Sequence, residues 1–123
     1  MTSILGKIGW WTLVVATALM LLNHLLGVFA FAEGDDERLM FVIFALLNLY
    51  ALIVLLLPYR RREPWSWWLT WTSVAAFPAS VLFITDPSIG GLYLAIGGVL
   101  ALGQVLTYRD VTRRSPLATS LVG

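Results

Sequence analysis

Groups able to do acid–base, nucleophilic or metal chemistry are scarce in this chain, and the scarcity narrows its function. There is one histidine, His24, and no cysteine among 123 residues. That removes thiol nucleophiles, disulfides and cysteine-based metal centres. His24 can titrate near neutral pH and hold a proton or a ligand. A metal would need further ligands, and the nearest acid in sequence, Glu33, lies about 13 Å further along an ideal helix. The plainer role for His24 is a hydrogen bond between helices through neutral imidazole, worth on the order of 1 kcal/mol. Asn23, beside it, and Asn48 invite the same two readings. Asn23, His24 and Asn48 therefore form the candidate polar site, and Gln104, Thr70, Thr72, Ser73 and Ser80 are further polar groups set within apolar runs. No carboxylate lies inside such a run to carry a proton or cation. Acid–base catalysis needs convergent titratable groups. With His24 alone, no catalytic residue, metal or cofactor is expected, and an enzyme is the least favoured reading. Asp35, Asp36 and Glu37 could meet a divalent cation, but they lack the spacing of an EF-hand loop. They read better as acids at the positive end of a helix.

The elements that position these groups are apolar runs. The chain is 59% hydrophobic and only 12% charged, with a mean hydropathy of +0.85. A soluble domain is normally about a quarter charged, so the expected class is an integral membrane protein. Four runs, 8–32, 39–59, 64–85 and 87–108, each have about the 20 residues that a membrane crossing needs. The expected fold is all-α, an up-down-up-down bundle of four transmembrane helices forming one domain over 1–123. A signal peptide ending at Ala30-Phe31-Ala32 is the rival for the first run, but the run exceeds the usual ~7–15 residues. Glu63-Pro64 and Asp86-Pro87 each place an acid before a proline at a helix start, where its missing N–H costs nothing. Pro78 should kink the third helix.

Charge orients the bundle. Lys7, Arg60, Arg61, Arg62, Arg109, Arg113 and Arg114 fall on one side, and only Arg38 falls on the other, among Glu33, Asp35, Asp36, Glu37 and Asp86. Short loops rich in Lys and Arg stay in the cytoplasm. Both termini are thus expected inside, in a prokaryotic inner membrane. Trp10, Trp11, Trp65, Trp67, Trp68 and Trp71 all lie near that same boundary. With Arg60, Arg61 and Arg62 they make a candidate surface for lipid headgroups or for a protein partner. Nothing suggests nucleic acid.

Small residues supply the packing. Gly91/Ala95 and Gly97/Ala101 are small-xxx-small pairs in the fourth run, with Gly98 beside them. Such residues let helix backbones approach where leucine packs no better than lipid. They can serve the bundle itself or an interface between copies. The loop Arg61-Arg62-Glu63-Pro64-Trp65-Ser66-Trp67-Trp68 resembles the Arg-Arg-Gly-Glu-x-Trp-Ala-Trp loop of uncharacterised small four-span prokaryotic membrane proteins, without its glycine. That resemblance implies the same four-helix topology and no particular activity. The leading expectation is a non-enzymatic accessory or scaffolding subunit in the lipid bilayer, packing against itself or another membrane protein. The alternative is a binder or transporter of a small hydrophobic molecule, using an intramembrane pocket near His24.

Overall fold

The computed structural model describes residues 1–112 and is all-helical over that range, with no strand among the described residues. Arg113 and Arg114, which contribute to the charge asymmetry, lie outside the described residues. The helices are α1 (Ile4–Leu26), α2 (Asp35–Val54), α3 (Pro64–Ser80) and α4 (Pro87–Thr112). Three are long and apolar enough to cross a membrane: α1 with its extension to Phe31, α2 with its extension to Tyr59, and α4.

The starts follow local chemistry. Ser3 caps α1, its Oγ accepting from the Gly6 amide at 2.9 Å. Asp35, Asp36 and Glu37 occupy the first turn of α2. Pro64 opens α3. The Asp86 carboxylate accepts from the Ser88 amide at 2.8 Å where α4 begins. Two helices end in a π-helical turn, at Gly27–Phe31 and Leu55–Tyr59. The second contains Pro58, which has no amide to donate, and the wider turn accommodates that gap. Arg62 then takes φ 61°, a left-handed value more often held by glycine, and its amide bonds the Tyr59 carbonyl at 2.9 Å.

The helical run expected over 64–85 closes earlier, at Ser80. The amides of Val81, Leu82, Phe83 and Ile84 reach three residues back instead of four. The amide that Pro78 lacks leaves the Val74 carbonyl, four residues back, without its helical partner, and beyond the proline the chain tightens. The Pro78 ring packs closely against α4 at Gly97, where a Cβ would stand 3.2 Å from Pro78 Cδ.

Neighbouring helices in the chain run antiparallel. The closest pair is α1 with α4, flanked by α2 on α1 and α3 on α4, and α2 and α3 touch least. The α1–α4 crossing rests on Gly9 and Gly103. A Cβ at Gly9 would come 2.7 Å from the Gly103 carbonyl oxygen, and one at Gly103 would come 3.0 Å from the Gly9 oxygen. Leu13, Met20, Leu55, Val74, Phe77 and Leu100 fill the core around it. The ends of the chain's described part are also tied together. Asp110 near the end of α4 accepts from the Thr2 amide at 3.0 Å and from the Ser3 amide and hydroxyl at 2.9 Å.

Candidate functional site

Polar side chains gather at two levels. At the end that carries the tryptophans, Tyr59 Oη donates to Gln104 Oε1 at 3.1 Å and also bonds Thr107 Oγ1. The Gln104 side-chain amide donates to the Trp67 carbonyl, and the Trp67 indole donates to the Gln104 carbonyl at 3.0 Å. Trp10 sends its indole N–H to the Leu55 carbonyl at 2.9 Å, where the π turn of α2 begins. Tyr59, Gln104 and Thr107 are fully buried. This cluster is closed and satisfied, so its role is to fix the helices in register.

The second level lies toward the far end. His24 on α1 and Asn48 on α2 are both buried. Asn48 Nδ2 stands 3.2 Å from His24 Nδ1, and His24 Nε2 stands 3.3 Å from Tyr93 Oη on α4. Where α2 and α3 diverge, a cavity of about 270 Å³ opens beside this trio, near the lower end of the roughly 300–1,000 Å³ usual for small-molecule pockets. Phe44, Leu47 and Ala51 of α2 wall one side, and Ser73, Ala76 and Phe77 of α3 wall the other. No lysine, arginine or carboxylate lines it.

The hydrogen-bond directions can be worked out. Asn48 Nδ2 also lies 2.8 Å from the Phe44 carbonyl, which accepts only, so the amide nitrogen must face it. The same nitrogen then donates its second hydrogen to His24 Nδ1. His24 therefore carries its proton on Nε2 and donates it to Tyr93 Oη. Two groups are left over: the Tyr93 hydroxyl hydrogen and Asn48 Oδ1, neither with a partner among the described residues. Every fully enclosed polar side-chain atom among the described residues has one. Asn48 Oδ1 is therefore not fully enclosed, and both Asn48 and Tyr93 line the cavity.

Of the expected polar site, His24 and Asn48 come together and Asn23 does not. Asn23 is exposed, one residue round α1 from His24, and is absent from the cavity wall. Tyr93 joins the group from α4, and Thr72, Ser73 and Ser80 of α3, polar groups in the third run, line its cavity. Tyr93 lies six residues after Pro87, and its signal in the sequence is a phenol within an apolar, glycine-containing run.

The tryptophans divide. Trp10 and Trp67 are buried, Trp71 is half-buried, and Trp11, Trp65 and Trp68 are exposed. Arg60 lies over the Trp10 ring with Cζ 5.5 Å from its centroid. Arg61 and Arg62 are exposed. The small residues of α4 divide as well. Gly97 is buried against Phe77 and Pro78, and Ala101 is half-buried. Gly91, Ala95 and Gly98 face outward, and a Cβ at Gly91 or Gly98 would meet nothing within 4 Å.

Comparison of the chain with models of protein families, with curated proteins and with solved structures finds no match. The class defined by fold and site is a helical bundle over the described residues, with three segments long and apolar enough to cross a membrane and a cleft lined by no charged residue.

Proposed function

We propose that this protein is a non-enzymatic, four-span protein of a prokaryotic inner membrane whose far-end cleft binds a small, mostly apolar molecule from the lipid phase. The cleft carries the reading: mostly apolar walls with a few hydroxyls, no charge, and a spare donor and acceptor of the His24 trio at its floor. Membrane pockets of this make-up hold a ligand through its apolar body and orient it with a few polar atoms. The fourth span is α3. Its 17 residues give about 26 Å at 1.5 Å each, and the tighter turns that follow add roughly 2 Å per residue, which reaches the ~30 Å of hydrocarbon. An even number of spans agrees with the N-terminus meeting Asp110, and the arginine excess supports a cytoplasmic position for that side.

A diazirine-bearing apolar probe of single-ring size tests the reading in membranes. Labelling should concentrate on the peptides holding Phe44–Ala51 and Thr72–Ser80, and Ser73→Trp should abolish it by filling the cleft. Equal labelling of every exposed helix face would contradict it.

A second reading has its own observation. Gly91, Ala95 and Gly98 form an outward face with open space above it, the kind of surface on which a second copy or another membrane protein packs closely. In this accessory-subunit reading Gly98→Leu shrinks the particle in mild detergent. Gly97→Leu disturbs the fold instead, because Gly97 is occupied by Pro78 of its own chain.

A further inference from the structure

The cleft is specific about what it would accept. Its walls are aromatic at two places: Phe44 stacks on His24 with ring centroids 5.3 Å apart and planes at 28°, and Phe77 packs on Tyr93 at 5.8 Å. At its floor, beside the His24–Asn48 pair, stands the Tyr93 hydroxyl, while Tyr50 and Ser73 add hydroxyls on the walls. The Tyr93 hydroxyl is polarised because its oxygen already accepts from His24 Nε2, and chained hydrogen bonds strengthen one another. A carboxylate or phosphate would find no cation in the lining, and an amine would find no acid. Either would enter at the cost of an unpaired charge. A saturated hydrocarbon would leave the Tyr93 donor and the Asn48 acceptor unused. A flat, uncharged ring bearing a carbonyl uses the aromatic walls and the donor together.

Resting on the cleft reading above, we propose that the occupant is a quinone-class molecule, bound with one carbonyl oxygen accepting from Tyr93 Oη and its tail leaving between α2 and α3 into lipid. Phe44 and Phe77 supply the aromatic faces for the ring, offset or edge-on as aromatic pairs prefer. His24 and Asn48 act as positioning residues. Asn48 fixes the histidine tautomer, and the histidine leaves the tyrosine hydrogen free to point at the ligand. No electron transfer is part of this proposal: it concerns recognition only.

The test uses the full chain in nanodiscs of a diacyl phospholipid, titrated calorimetrically with menadione and separately with methylnaphthalene, its hydrocarbon counterpart. Menadione should bind saturably and at least about tenfold more tightly than methylnaphthalene, the factor that one buried hydrogen bond commonly supplies. Tyr93→Phe should bring menadione down to the hydrocarbon's affinity and leave methylnaphthalene unchanged. Equal affinity of the two compounds for the wild type overturns the proposal. So does unchanged menadione binding by Tyr93→Phe. If both compounds bind equally and Ala76→Trp blocks both, the quinone assignment falls and the cleft reading stands. If neither binds, both fall.

Discussion

Gln104 and Asn48 are both side-chain amides buried between helices, and the bundle uses them in opposite ways. Gln104 accepts from Tyr59 and donates to the Trp67 carbonyl, in a region where α1, α3, α4 and the end of α2 close on one another. Asn48 spends its donors on Phe44 and His24 and keeps its oxygen free, in a region where α2 and α3 have parted. The tryptophan end resembles a core and the far end resembles a binding site. Burial alone does not separate them, because His24 is as deeply buried as Gln104. What separates them is whether the hydrogen-bond inventory closes.

The comparison breaks most completely if the helices that frame both regions are forced apart. Gly9→Val places a branched side chain where even a Cβ would stand 2.7 Å from the Gly103 carbonyl oxygen. Overpacking of this kind costs about 1–3 kcal/mol where a core can yield, and a backbone carbonyl yields little. The expected result is a large loss of melting temperature in detergent, or no folded protein, read by near-ultraviolet circular dichroism. A melt like that of the wild type would mean that α1 and α4 do not cross there.

Gln104→Leu comes next. It leaves the Tyr59 hydroxyl with Thr107 alone, and the expected destabilisation is about 1–3 kcal/mol in denaturant titration. It should not change occupancy of the cleft. Asn48→Leu should do the reverse. Its stability cost is smaller, on the order of 0.6 kcal/mol as for typical hydrogen bonds between membrane helices, but it frees His24 Nδ1. Nitrogen NMR of labelled histidine should then show a loss of the pure Nε2–H tautomer seen in the wild type. An Nδ1–H tautomer in the wild type would remove the reason for a spare Tyr93 hydrogen.

The smallest effect lies outside both regions. Backbone hydrogen bonds from Ser88 and Ile89 hold the exposed Asp86 carboxyl below its ordinary value of 3.8. A carboxyl lowered by folding stabilises the protein fully above its unfolded pKa, and that increment is lost as pH falls through the folded value. The melting temperature should therefore drop slightly below about pH 4, and Asp86→Ala should remove that part of the drop while leaving the cleft unaffected.

Much of the architecture was legible because its causes are local. Acid–proline pairs start α3 and α4, uninterrupted apolar runs mark the helices, and Pro78 predicts a break in regularity near its position. The length of α3 was not legible, since the i→i+3 turns at 81–84 depend on how the chain beyond Pro78 settles against α4. His24 and Asn48 could be nominated as polar groups in apolar surroundings, but periodicity along α1 cannot say which of two adjacent residues, Asn23 or His24, faces inward. Both residues are polar, and the choice is made by packing with α2. Tyr93 and the Gly9–Gly103 contact depend on pairing of elements roughly a hundred residues apart in sequence at most. No local pattern carries that information. Trp10 and Trp67 read as interface anchors from their residue type, yet each donates its indole N–H to a helix carbonyl inside the bundle.

The most direct test of the contrast between a closed end and an open one is native mass spectrometry of the protein released from mild detergent. The wild type should carry an additional small-molecule mass that is retained in Gln104→Leu and missing from Ala76→Trp, whose indole fills the cleft. Masses equal to the bare polypeptide for both the wild type and Ala76→Trp, with no small molecule on either, would contradict the account.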